Sequence, residues 1–198
     1  MSLELLNTLG TLTTVVIVAA AAVAALIQLR HLRAGNQINA LLTVGEAFST
    51  PSFRDAMHLV NFKLAVMLED PLFRDYAVSI ACDLPPPDVR PGYIEVRRAA
   101  IAIASVYEDL GILIKHHVVD RAIFLDRYSS TIVSMWCLLA PFLAFIRAVK
   151  RDPAVFENFE FLVVSSQDWE REHPVSYPLG VRRLQLTNPW PIAAPATS

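Results

Sequence analysis

The feature that most limits what this chain can become lies at its amino end. No residue between Glu4 and Arg30 carries a charge, so Leu5 to Leu29 is an uncharged run of 25 residues centred on TTVVIVAAAAVAALIQL. About 20 apolar residues cross the hydrocarbon core of a bilayer as a helix, and this run is a little longer. The assignment rests on length and absence of charge, because alanine itself favours insertion only weakly. A cleaved export signal is the rival reading, since AAAAVAA offers small-x-small triplets. Such a signal opens with Lys or Arg; here the opening holds Glu4, and Arg30, His31 and Arg33 follow the run instead. Residues 1–29 therefore read as a single-pass anchor in the inner (plasma) membrane. The positive-inside rule puts the N-terminus outside and everything after Leu29 in the cytoplasm. The lipid bilayer, met through residues 5–29, is the first partner implied.

What remains, residues 30–185, has room for one domain. Its charges nearly cancel, with 17 basic against 19 acidic residues in the whole chain and no basic block beyond RHLR. Nucleic-acid binding thus has no electrostatic footprint. Cys82 and Cys137 are the only cysteines and have neither a C-x-x-C spacing nor a histidine at ligand distance. They read as reduced thiols, Cys137 in the core and Cys82 in a loop.

Apolar residues at spacings of three and four predict helices throughout. Ile38, Leu41, Leu42 and Ala47/Phe48 carry the anchor helix on through residues 30–48. TPSFRDAMHLV at Thr50 and DPLFRDYAVSI at Asp70 share P-x-F-R-D, and DPAVFENFEF at Asp152 opens in the same way. These are three helix starts rather than a repeat: a capping side chain, then proline at the first helical position, with Asp55 and Asp75 in or near the first turn. The stretch CDLPPPDVRPG, 82–92, cannot be helix. Beyond it the spacing predicts a helix over Tyr93–His116, a short one from Asp120, one from Ser129 or Ser130 to about Val149 kinked at Pro141, and a last one from Pro153 to about Glu172. Residues 186–198 form a proline-rich tail expected to be disordered. The fold class is all-α: an N-terminal single transmembrane helix followed by a cytoplasmic bundle of about six helices. SSTIVSMWCLLAPFLAFI, 129–146, competes as a second span. It is short, opens with hydroxyl residues and contains Pro141, and crossing there would put Arg147, Lys150 and Arg151 outside. A core helix is the better reading.

The densest polar stretch is VYEDLGILIKHHVVD, 106–120. On a helix Glu108, Gly111 and Lys115 share one side while Tyr107 faces the apolar stripe. Adjacent His116 and His117 point about 100° apart and cannot ligate one ion together from a helix. A metal site from His116, Asp120 and Glu108 is the minor reading; histidines at a helix C-terminus are the major one. No phosphate-binding glycine loop, H-E-x-x-H or G-x-S-x-G occurs, so no cofactor, metal or catalytic residue is assigned. The remaining candidates are architectural. Gly111 admits a neighbouring helix, and Trp136 offers a large surface to bury. Arg147 ends a long apolar run and needs Glu160 or Glu108 as its partner, since a buried charge without one costs about 3–5 kcal/mol. Glu108 and Glu160 as paired catalytic carboxylates form the functional alternative.

The order V-Y-E-x-x-G-x-L-x-K, V-D, M-W-x-x-L-x-P-x-x-x-x-x-R, F-E-N-F-E-F-L and Y-P-x-G-x-x-R resembles a bacterial family of uncharacterised membrane-anchored domains, over roughly residues 25–185. That family in turn resembles phage abortive-infection proteins. The matching positions are Tyr107, Glu108, Gly111, Lys115, Asp120, Trp136, Pro141, Arg147, Phe159, Glu160, Tyr177, Pro178 and Gly180; Val106 stands where the pattern has Asn. The resemblance implies no established activity. The sequence thus reads as a membrane-tethered interaction or sensing module with an unnamed protein partner. Small-residue pairs Ala20/Ala24 and Ala21/Ala25 would let anchors associate as a homo-oligomer. The alternatives are a membrane-bound enzyme or toxic effector using Glu108, Glu160 and His116, or a pore-former inserting 129–146.

Overall fold

A computed structural model describes residues 3–86, 90–175 and 177–185. Among these residues there is no strand, and the chain is all-α. The first helix, α1 (Leu3–Ser49), runs 47 residues without interruption, about 70 Å at 1.5 Å per residue. No proline occurs before Pro51, and Thr11 and Thr14 donate their hydroxyls to carbonyls four residues back at 2.9 Å. Those bonds absorb the polar groups of an otherwise apolar segment. Along this segment Val15, Val16, Ile17, Val18 and Leu26 are 59–63% exposed and pack against nothing. Among the described residues of α1, those of the last turns join the bundle, through Ala40, Leu41, Val44 and Phe48.

The next helices start where local chemistry places them. Thr50 accepts from the Phe53 N–H at 3.3 Å ahead of α2 (Pro51–Leu59), and Asp70 accepts from the Leu72 N–H at 3.0 Å ahead of α4 (Pro71–Ala81). Asp55 and Asp75 fall just past those first turns. Between them the chain passes through a wider π turn, Val60–Leu64, into α3 (Ala65–Glu69). The central helix is α5 (Pro91–Lys115), with ten buried residues from Tyr93 to Ile114. It packs against α7 (Glu157–Glu172) on one side and α2 on another, and α7 also packs on α6 (Arg121–Lys150).

Three expectations change. The two helices foreseen over 120–149 are one, α6, capped by Asp120, whose carboxylate accepts from the Ile123 N–H at 3.0 Å. Ser129 and Ser130 do not break it: Ser129 is buried and Ser134 donates to the Ser130 carbonyl at 2.7 Å, so the hydroxyls are satisfied inside the helix. Cys137 is exposed, because the core face of α6 is Ile132, Met135, Leu139, Phe142, Leu143 and Ile146, and a residue two places from both Met135 and Leu139 points away from it. The last helix starts at Glu157, not Pro153. Asp152 does accept from the Ala154 N–H at 2.9 Å, but Phe156 takes a left-handed φ of 59° and ends that turn. The proline-rich tail expected at 186–198 lies outside the described residues.

By length and composition two helices could cross a membrane, one covering Gly10–Ser49 and the other α6. They differ in what they touch. The apolar window of the first has none of its residues buried, whereas a third of that in α6 is inside the bundle.

Candidate functional site

The polar residues of α5 turn toward the start of α7. The helix α7 has no side-chain cap of its own, since its N-cap is Phe156. Glu108 supplies one from across the bundle: Oε2 accepts from the Phe159 N–H at 2.8 Å and Oε1 from the Asn158 Nδ2 at 2.7 Å. A carboxylate over a helix N-terminus satisfies free N–H groups and meets the positive end of the dipole. Lys115, two turns along, donates to the Asn158 Oδ1 at 3.2 Å. Between them lies Gly111, where a β-carbon would overlap the backbone carbonyl of Asn158. The close approach of α7 therefore needs glycine at this position.

Arg147 holds the other side of the same turn. Its Nε donates to the Val155 carbonyl at 2.9 Å, its Nη2 to that of Phe156 at 3.4 Å, and its Nη1 meets Glu160 at 2.7 Å. Of the two acids expected as partners for Arg147, Glu160 takes the role and Glu108 is occupied at α7. The Phe156 carbonyl also accepts from the Glu160 N–H at 3.3 Å in the first turn of α7, so Arg147 fastens α6 to the start of that helix.

Above this polar joint sits an aromatic stack. Tyr107 lies parallel to Phe159 at 4.8 Å between centroids, and Trp136 meets Phe159 edge-on at 5.0 Å. Trp136 is half-buried rather than fully enclosed. Burial pushes the Tyr107 hydroxyl up to about 12, so it stays protonated. Tyr107 also forms part of an open groove of 420 Å³ with Phe48, Phe53 and Tyr128, edged by Arg54 and His58. Phe48, on the last turn of α1, touches Phe53, Tyr107 and Tyr128 at 5.1–5.8 Å. The π turn brings Asn61 and Phe62 to the rim. Phe62 is 70% exposed. π segments inside α-helices occur often at functional sites. Asn158, Tyr128 and the groove were not singled out from the sequence. Asn158 stands inside F-E-N-F-E-F-L and could have been weighed; the π turn has no sequence signal.

The histidines end a helix. His116 is the C-cap of α5, and His117 takes a φ of 55°. The Val118 N–H reaches the Leu113 carbonyl at 2.9 Å and the His117 N–H that of Ile114 at 3.1 Å, the paired bonds of a Schellman stop. Asp120 caps α6 and Glu108 caps α7, and among the described residues no three His, Cys, Asp or Glu side chains group around a possible ion. The Y-P-x-G-x-x-R motif closes on itself. Gly180 has a φ of 81° and the Val181 N–H bonds the Pro178 carbonyl at 3.3 Å, as a type II turn with glycine third requires. Arg183 lies over the Tyr177 ring at 4.7 Å.

Residues 15–166 match the sequence pattern of the family described as a domain of unknown function, DUF4760. The chain belongs to the DUF4760 family. Among curated proteins and among solved structures, nothing matches it. The match takes in most of α1 together with the joint built by Glu108, Gly111, Arg147 and Glu160, and it stops within α7. The self-closed turn at Tyr177–Arg183 falls beyond it.

Proposed function

We propose that this DUF4760 protein is a membrane-tethered interaction or sensing module, anchored through residues 5–29 with its bundle on the cytoplasmic side. The observation that carries the reading is the continuity of α1. Its apolar part packs on nothing, yet the same helix ends on Phe48 in the aromatic groove. A bilayer takes up about 20 residues of such a helix, which leaves roughly ten residues, about 15 Å, between Arg30 and the first packed turn. The bundle would stand clear of the headgroups on a rigid stem, and a tilt or rotation of the anchor would reach Phe48 and the groove directly. The groove is the recognition surface in this reading, and its lining suits an apolar or aromatic group. Glu108 and Glu160 are both engaged in holding α7, which favours a scaffold over the catalytic alternative. The resemblance to abortive-infection proteins makes phage challenge the setting in which to look for a phenotype.

The two native thiols test this. Cys82 and Cys137 are free and exposed on the bundle. A membrane-impermeant maleimide should label neither in intact spheroplasts and both after lysis, while the protein stays in the alkali-washed membrane fraction. Labelling before lysis reverses the orientation, and release into the aqueous fraction removes the anchor. A pore-former with 129–146 in lipid would leave Cys137 unreactive in isolated membranes.

A further inference from the structure

Away from the α7 joint, a pocket of 260 Å³ lies beside α5, lined by Tyr76 of α4 and by Ile94, Arg97, Arg98, Ile101 and Ala102. The Arg97 Nε is buried without a hydrogen-bond partner, and it is the one side-chain atom in that condition among the described residues. Burial pulls Arg97 below its ordinary value, against a smaller upward pull from Tyr76. Among the described residues no carboxylate pairs with Arg97 or Arg98, the ion pairs there being Arg147–Glu160 and Arg171–Asp168. A buried guanidinium N–H with no acceptor is costly, and native proteins rarely keep one without a reason.

We propose that this pocket binds a phosphomonoester, its phosphate held by the guanidinium groups of Arg97 and Arg98. Arg97 and Arg98 leave α5 about 100° apart, but unlike the short histidines their long side chains both reach this pocket. Two cations match a dianion, whereas a carboxylate would neutralise only one. Guanidinium suits phosphate because its planar fork donates two parallel hydrogen bonds, and the Arg97 side chain must turn to bring its closed-off Nε to such a ligand. The pocket exceeds a single phosphate in size, and Ile94, Ile101 and Ala102 offer an apolar wall for the group the phosphate is attached to. A soluble phosphorylated metabolite and a lipid headgroup share this chemistry.

The test uses the full chain in neutral detergent micelles, with thermal unfolding followed at matched ionic strength. One arm adds inorganic phosphate in place of chloride. The other exchanges phosphatidylcholine for phosphatidic acid in the micelles. The midpoint should rise in at least one arm: phosphate alone points to a soluble ligand, phosphatidic acid alone to a lipid. Arg97→Met should melt higher than wild type without ligand, since the orphaned donor is gone, and should lose the ligand-dependent rise. Arg97→Lys keeps the charge but not the fork, and should weaken binding about tenfold. No rise in either arm, or the same rise in wild type and Arg97→Met, overturns the proposal.

Discussion

At the scale of single residues, two glycines in helices have opposite roles that the sequence does not distinguish. Replacing Gly111 by alanine puts a methyl group into the Asn158 carbonyl, so α7 must move away. Overpacking of this kind costs about 1–3 kcal/mol, and thermal unfolding should show a midpoint several degrees lower. At Gly45 the added carbon would sit 3.6 Å from the Tyr128 hydroxyl, an ordinary contact. Gly45→Ala should therefore stabilise by about 0.5–1 kcal/mol, the usual gain from removing a mid-helix glycine. Glu108 gives a third case. Glu108→Gln keeps one acceptor but loses the charge over α7, and should cost about 1–2 kcal/mol in chemical denaturation. An unchanged denaturation curve would remove the capping role and return Glu108 to the list of catalytic candidates. Cys137 shows the limit of residue-level reading: hydrophobic character suggested the core, but its place on the α6 period put it outside.

Helix boundaries were legible where they are local. Thr50–Pro51 and Asp70–Pro71 start helices because the cap and the proline act within one turn. Asp152–Pro153 carries the same signal and does not, because Phe156, within one turn, takes a left-handed φ of 59° and ends it. HHVVD marks the end of α5, and the structure closes the helix there through a left-handed His117 that no local residue preference announces. A non-glycine residue there costs about 1–2 kcal/mol, so His117→Gly should raise the unfolding midpoint. A fall in stability would assign the imidazole a role beyond the turn. Asp70 ties two elements together. The Tyr93 hydroxyl donates to its Oδ2 at 2.5 Å, and that bond is the largest cause holding its pKa below the usual carboxylate value, with the Leu72 N–H adding to it and burial opposing. The folded state favours the charged form. Its stabilisation is present above the unfolded value of about 3.9 and is lost as pH falls through the lower folded value. Asp70→Asn should therefore melt below wild type at pH 7, and the two curves should converge in acid.

For the molecule as a whole, α1 divides into a part the bundle needs and a part it does not. Among the described residues, every core or core-packed residue of α1 lies at or after Ala40. A chain beginning at Asn36 should keep its helical circular dichroism, melt within about 1 kcal/mol of the full-length bundle, and stay in solution without detergent, since surface segments away from the core contribute little. If it unfolds or aggregates, the stem is structural and the anchor cannot be treated as a separate attachment.

The anchor-like run, the all-helical class, two of the three capped starts and the break that opens at Cys82 follow from the sequence alone, because each depends on interactions within a few residues or on an uninterrupted apolar length. Pro91 and Gly92, expected outside any helix, are the first residues of α5. Which way Cys137 faces, where α7 begins, which acid meets Arg147 and how Phe48 closes a groove with Tyr107 and Tyr128 were decided only in the folded chain. Those outcomes depend on contacts between residues up to 80 positions apart (Phe48 with Tyr128). Periodicity can say that a residue lies on an apolar face, but not which neighbour that face will meet.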